Sequence, residues 1–337
     1  MNVSDTMFRR LSSAALASIV AGCAGTIPPG GANPQGAGPA MQASGKNQSG
    51  WLAPEARAKN AHLIYASGYD ASEGAIFVYQ AKKPYKKVGE LPSGSNWPSA
   101  CYVDGKGNVY VANDDGGTSN NGFVREYAKG KTKPVFEYTA SLSFPKSITV
   151  GSDGTLYVAD LANNGEVVEF PQKSNTPTLV IPSGVFAPEL PGAVALDSEN
   201  NLYVGTATFG SNPQYNVWKF APNTAKGTAL NLTALDDPST IIVDKSNNLV
   251  VGNGDGGLVS VYPAGQVNPS IQFSVPFGTT QIAFDKAENI FYWVGSAFGV
   301  HAYSYKTGKA VQEFDGPCPS GGSHFCMGVA ADPAATL

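Results

Sequence analysis

Apolar residues along this chain fall into short runs separated by polar turns, and the runs recur in a fixed order. The clearest copy spans residues 191–206. Ala193 to Leu196 is a nearly continuous apolar run, Asp197 to Asn200 a tight polar turn, and Leu202 to Gly205 a second apolar run. Copies begin at Pro98, Pro145, Pro191, Pro238, Thr279 and Cys326, in steps of 47, 46, 47, 41 and 47 residues. A repeat of that length with several strands per copy predicts a radial array, such as a β-propeller.

The innermost strand, a, reads Ala100–Val103, Ser147–Val150, Ala193–Leu196, Thr240–Val243, Gln281–Phe284 and Gly328–Ala331. Runs apolar on both faces suit strands packed on both sides. Turns rich in Asp, Gly and Asn follow, where short side chains bond the backbone and left-handed geometry is tolerated. Strand b is Val109–Ala112, Leu156–Ala159, Leu202–Gly205, Leu249–Gly252 and Ile290–Val294; the last carries one residue more than the others and predicts a bulge near Trp293. Strand c ends in Tyr127, Phe170, Phe220, Tyr262, and Tyr303 or Tyr305. A variable outer strand, d, completes each unit.

The first unit has strands b, c and d at His62–Ala66, Ala75–Tyr79 and Lys87–Leu91 but no strand a before them. Gly328–Ala331 is a strand a with no strand b after it. The chain is therefore expected to close as a six-bladed, all-β propeller of four-stranded antiparallel blades, with the C-terminal strand completing the N-terminal blade. The pattern Pro-x-x-Ile/Val-x-Val/Leu-Asp, then Asn-Leu/Val-Tyr-Val-Ala, then Val-x-Glu-Phe/Tyr, resembles that of the NHL-repeat propellers over residues 61–337. The resemblance implies the fold and leaves the function open, because propellers host binding and catalysis alike.

Residues 1–60 lie outside the pattern. Arg9 and Arg10 precede the short apolar stretch Leu11–Ala21, which is too brief to span a bilayer. Val20, Ala21, Gly22 and Cys23 resemble the lipobox of bacterial lipoproteins. That likeness implies a signal peptide over 1–22, acylation of Cys23, and an exported, lipid-anchored protein of the bacterial envelope; Ala24 fits outer-membrane sorting. Residues 23–60 are rich in Gly, Pro, Ala and Ser and read as a flexible tether with a reach of roughly 35 Å. Trp51 and Leu52 interrupt it and either dock on the domain or form a loosely held patch, the second being the expectation. Residues 61–337 form the propeller domain, expected to be monomeric.

Only 14% of the residues are charged and the formal net charge is −4, which gives no electrostatic footprint for nucleic acid. Candidate chemistry gathers where the d-to-a and b-to-c connections share one face. Trp97, Phe144, Leu190, Asp237, Gly278 and Phe325 precede the a strands and would ring the channel mouth. The aromatic members either plug that mouth or offer a stacking platform. Asn113, Asp160, Thr206, Asn253, Ser296 and Ser67 end the b strands, positions that either cap the adjoining loops or meet a ligand. The longest loops, 114–121 and 207–215, carry Asp114, Asp115 and Tyr215. With Asp255, the two loop aspartates supply oxygens suited to Ca²⁺, without EF-hand spacing. The expected ligand-binding set is Trp97, Asp114, Asp115, Phe144, Asp160, Tyr215, Asp237, Asp255 and Phe325.

Cys318 and Cys326 flank a short Gly-rich loop and are expected to pair in an oxidising compartment, whereas Cys101 reads as a buried apolar residue. His324 is the weak catalytic candidate. Two enzyme groups resemble this fold. The gluconolactonase-like hydrolases carry an early Glu-Gly-Pro-x-Trp, but here Glu73-Gly74 is followed by Ala75-Ile76. The virginiamycin B lyase-like proteins place a histidine near the mouth, as His324 could be, without a surrounding motif. A non-catalytic binding module for a peptide, glycan or envelope protein is the reading that needs the fewest such groups.

Overall fold

The computed structural model describes residues 50–70, 73–94, 97–114, 121–161, 165–276, 278–294, 299–313 and 325–332. Residues 1–49, Asp115, Ser296, Cys318 and His324 therefore lie outside the described residues, and with them Cys23. Two compact units divide the chain. One is the propeller. Of the other, residues 1–44 and 209–213, only the exposed loop 209–213 is described.

β1 (Trp51–Leu52) is followed by a 3₁₀ turn (Pro54–Arg57). Blade one contributes β2 (Leu63–Asp70), β3 (Glu73–Gln80) and β4 (Lys87–Pro92). Blade two is β5 (Pro98–Val103), β6 (Val109–Asn113), β7 (Phe123–Tyr127) and β8 (Pro134–Tyr138). Blade three is β9 (Pro145–Val150), β10 (Leu156–Asp160), β11 (Glu166–Phe170) and β12 (Leu179–Ile181). Blade four is β13 (Leu190–Leu196), β14 (Leu202–Ala207), β15 (Tyr215–Phe220) and β16 (Gly227–Ala229). Blade five is β17 (Pro238–Val243), β18 (Leu249–Asn253), β19 (Leu258–Tyr262) and β20 (Ile271–Ser274). Blade six is β21 (Gln281–Phe284), β22 (Ile290–Val294), β23 (Val300–Ser304) and β24 (Ala310–Glu313). β25 (Phe325–Asp332) returns to blade one and pairs with β2, Leu63 opposite Asp332 and Tyr69 opposite Phe325.

The result is the expected six-bladed propeller closed by its C-terminal strand. Its apolar cores lie between blades rather than within them. Six clusters each join two neighbouring blades, and the last joins blade six to blade one through Val329, Ala331 and Cys326. Alternation along β25 sends Ala330 the other way, toward blade two.

The a-to-b turns behave as their residues dictate. The Asp104, Asp197 and Asp244 carboxylates each accept two backbone amides of their own turn and an Asn side chain at 2.8 Å. The fourth turn residue is left-handed in five copies: Gly107, Gly154, Asn200, Asn247 and Glu288. This is why Gly and Asn recur there.

The bulge expected near Trp293 is not there. β22 pairs in step with both neighbours, Trp293 opposite Ile282 and His301. The buried indole instead donates to Thr279 Oγ1 at 3.1 Å, which fixes the strand end without an extra residue. Bulges lie on the a strands, where Ser99, Lys146, Gly192, Ser239 and Met327 fall between paired residues. They bend β5, β9, β13, β17 and β25 where these strands reach the channel mouth.

Trp51 and Leu52 are not a loose patch. β1 pairs antiparallel with β4, making blade one five-stranded, and the Ala53 amide donates to Val88 O at 2.8 Å. Gly89 makes this fit possible, since a Cβ there would come within 2.3 Å of Leu52 Cδ2. Ala56 is fully buried in the core between blades one and two. Among the described residues no helix is long and apolar enough to cross a membrane.

Adjacent a strands are tied by side chains at their first position. The Val194 amide donates to Ser147 Oγ at 3.2 Å, and the Ile282 amide to Thr240 Oγ1 at 3.4 Å. On β25 that position is Gly328, which has nothing to offer. The longer Gln281 reaches past it. Gln281 Oε1 accepts from the Val329 amide at 3.0 Å and the Cys101 amide at 3.2 Å, and its Nε2 donates to Cys101 O at 2.7 Å. One side chain thus links blades six, one and two across the closure.

Candidate functional site

The a strands line a central channel. Its wall includes Tyr102, Thr149, Ala195, Ile242, Ala283 and Ala330, and among the described residues none that line it is Asp, Glu, His, Lys or Arg. Ionisable groups sit above it, on the face formed by the b-to-c and d-to-a connections.

That face is built by one device used repeatedly. The residue ending a b strand holds the loop that leads into its own blade's a strand. Asp160 accepts the Ser143 and Phe144 amides, both at 2.6 Å. Asn253 Oδ1 accepts the Asp236 amide at 3.0 Å, and Thr206 Oγ1 bonds the Glu189 carboxylate, which also accepts from Trp218 Nε1 at 3.3 Å. The backbone follows suit. Trp97 O accepts from the Asp114 amide at 3.1 Å, Phe144 O from Leu161 at 3.0 Å, and Asp237 O from Gly254 at 2.6 Å. These polar residues are therefore caps. Asp160 is buried with its carboxylate committed to backbone. Asn113 and Ser67 are fully buried as well.

Trp97, Phe144, Leu190, Asp237 and Gly278 are half-buried, so the mouth ring is partly open to solvent. Phe325 opens β25. Asp114 is buried at the end of its strand, on blade two, and Asp255 is exposed after β18 on blade five. No group of three or more His, Cys, Asp or Glu placed to hold a metal occurs among the described residues.

What the structure does bring together is Asp237, Asp255 and Tyr215, joined by Asp236. Asp237 adopts a left-handed backbone, φ 54°, and lays its carboxylate over Gly254, where a Cβ would lie 2.2 Å from Oδ2. Gly256 gives way to Asp236 in the same manner, at 2.5 Å. Burial, then the charges of Asp255 and Asp236, push the Asp237 carboxyl up to about 6, with Lys146 pulling the other way. Burial and Asp255 also raise Asp236. Burial and all three carboxylates push the Tyr215 hydroxyl up to about 12. Glu166, opposite Asp160 in register, is raised by burial and then by Asp160.

Asp236 and Lys146 were not singled out from sequence. The Asp236-Asp237 doublet before Pro238 was a readable signal. Lys146 was not, because only the bulge turns it toward the mouth.

No family model matches this chain, and no curated protein matches it. Among solved structures, a protein of unknown function from Bacteroides caccae is similar at 12% identity, covering 81% of this chain and 99% of that one, with a TM-score of 0.59. At that identity the likeness shows the fold alone.

Asp237→Asn is expected to keep the left-handed backbone, which Asn tolerates, while removing a charge the site disfavours. A carboxyl raised in the folded state detracts from stability once ionised, above about pH 6. The variant should therefore melt no lower than the parent at pH 8, and the difference should vanish near pH 4. Thermal melts at the two pH values check this.

Proposed function

We propose that the protein is an NHL-like propeller, exported and anchored by lipid at Cys23, that binds a peptide or glycan at the channel mouth. The observation that carries this reading is the division of labour on that face. The buried strand-end groups Asp160, Thr206 and Asn253 hold loops, whereas Trp97, Phe144, Asp237 and Asp255 remain at least partly exposed. Half-buried aromatic faces suit stacking, and the Asp237–Asp255 group suits a basic or hydroxyl-rich ligand. A peptide and glycan array probed with parent, Trp97→Ala, Phe144→Ala and Asp237→Asn proteins tests it. A hit bound by the parent should weaken in all three variants. A basic ligand should also bind less as pH falls through about 6, where Asp237 takes up its proton. Equal binding by all four proteins would remove the mouth from consideration.

A second reading, a propeller hydrolase, is favoured by the same raised carboxyl, since shifted acids in clefts serve proton transfer. Stoichiometric Ca²⁺ or Zn²⁺ in the purified protein, lost in Asp237→Asn, would favour it over binding.

The anchor has its own test. Cys23→Ser should move the protein from the detergent phase to the aqueous phase, because stable anchoring needs more than one acyl chain on the mature terminus. The proposed Cys318–Cys326 bridge should appear as a mass two hydrogens lighter than the reduced chain.

A further inference from the structure

Two blades carry the same Tyr–Glu pair, and comparison of their surroundings exposes a second site. Tyr110 stands opposite Glu126 in blade two, and Tyr157 opposite Glu169 in blade three. Both glutamates are buried and point toward the next blade, on the face opposite the mouth. Glu126 has its partners supplied. Lys173, from the c-to-d turn of blade three, places Nζ 3.7 Å from Glu126 Oε1, and the Tyr138 hydroxyl lies 3.5 Å from Oε2. The same Tyr138 hydroxyl also accepts the Lys173 amide at 3.0 Å.

In the next gap both partners are replaced. Ile181 holds the place of Tyr138, each pairing with the corresponding c-strand residue, Val167 or Val124. Asn223 holds the place of Lys173, three residues past the aromatic that ends strand c. The backbone is the same in both, φ 55° at Lys173 and 58° at Asn223. Glu169 Oε1 still accepts from Thr178 Oγ1 at 2.9 Å, but among the described residues no protein group donates to its buried Oε2. A narrow cleft with room for about one water molecule lies where the lysine stem would run. Its walls include Tyr157, Leu179, Ile181, Phe220 and Asn223. A buried, half-partnered carboxylate at the end of an apolar cleft calls for a cation with an aliphatic stem.

We propose that the cleft between blades three and four binds a primary ammonium on an aliphatic stem, with Glu169 as its counter-ion, as Glu126 serves Lys173. Oε2 is closed off from solvent, so entry displaces the turn Ala221–Thr224, whose first three residues are exposed. The ammonium comes from a lysine side chain of a partner or from a free alkylamine. The site stands apart from the mouth, and either can fail without the other.

The probe is n-butylammonium, with n-butanol as its uncharged control, titrated calorimetrically at pH 7.5. The parent should bind butylammonium saturably and butanol at least roughly tenfold more weakly, the factor a charge-assisted hydrogen bond supplies. Glu169→Gln should lose affinity by a similar factor. Asn223→Lys should fill the cleft from within, abolish uptake and raise the melting temperature, since the same left-handed position already carries a lysine one blade away. Displacement of butylammonium by a lysine-containing peptide would identify a partner protein as the source. Displacement by free alkylamines alone would identify a small metabolite. No saturable uptake by the parent, or equal uptake by parent and Glu169→Gln, would overturn the proposal.

Discussion

A chain lacking residues 327–337 is expected to aggregate or to melt far below the parent. The deletion removes most of β25, the inner strand of blade one, and bares the edge of β2 along the register from Ser67 to Leu63. It also opens two cores at once. Val329 and Ala331 pack toward blade six with Tyr292, Val294 and Val300, and Ala330 packs toward blade two. Several hundred Å² of apolar surface at ~25 cal/mol per Å² amounts to on the order of 10 kcal/mol, comparable with the whole stability of a domain. The exposed edge adds a template for intermolecular pairing. A chain lacking residues 24–49, which leaves β1 in place, should melt close to the parent. Thermal melts and light scattering of the two deletions check both expectations.

The second large effect concerns one side chain. Gln281→Ala removes the acceptor of the Cys101 and Val329 amides and the donor to Cys101 O. An unpartnered buried amide costs about 1–3 kcal/mol, so the variant should lose roughly 2–4 kcal/mol, or about 5–10 °C in melting temperature for a domain of this size. Gly328→Ala should be destabilising for a related reason. Its Cβ would fall 2.6 Å from Gln281 Oε1, 2.7 Å from Ser67 Oγ and 2.8 Å from the Cys101 amide. Because the two residues share one site, the double variant should cost less than the sum of the singles. Additive losses would mean that Gln281 does not lock the closure.

The fold was legible because each repeat carries its own evidence. Strand a, the Asp turn and strand b recur with their physical reasons attached, and the unmatched strands at 62–66 and 328–331 can only complete each other. Features that depend on a partner were not legible. Trp51 and Leu52 are two residues with no periodicity, and their place is set by the hole over Gly89. The extra length at Trp293 looked like a bulge because its hydrogen bond to Thr279 cannot be read along the chain. Gln281 occupies a column otherwise filled by Ala, Ser, Thr and Gly, which was visible, but its reach past Gly328 was not. At the mouth, capping was one of the two roles open to the strand-end polar residues, and Asp160, Thr206 and Asn253 hold loops. The Asp160 carboxylate proved to be held by the Ser143 and Phe144 amides, while the contribution of Lys146 depended on a bulge.

The most direct test of the account is hydrogen exchange on the parent protein with and without its best ligand from the peptide and glycan arrays. Binding at the mouth predicts added protection in segments 97–99, 144–147, 236–239 and 253–256, with little change in the turns 104–108 and 197–201 on the opposite face. Protection confined to those opposite turns, or no ligand recovered from either array, would contradict a binding mouth built from Trp97, Phe144 and Asp237.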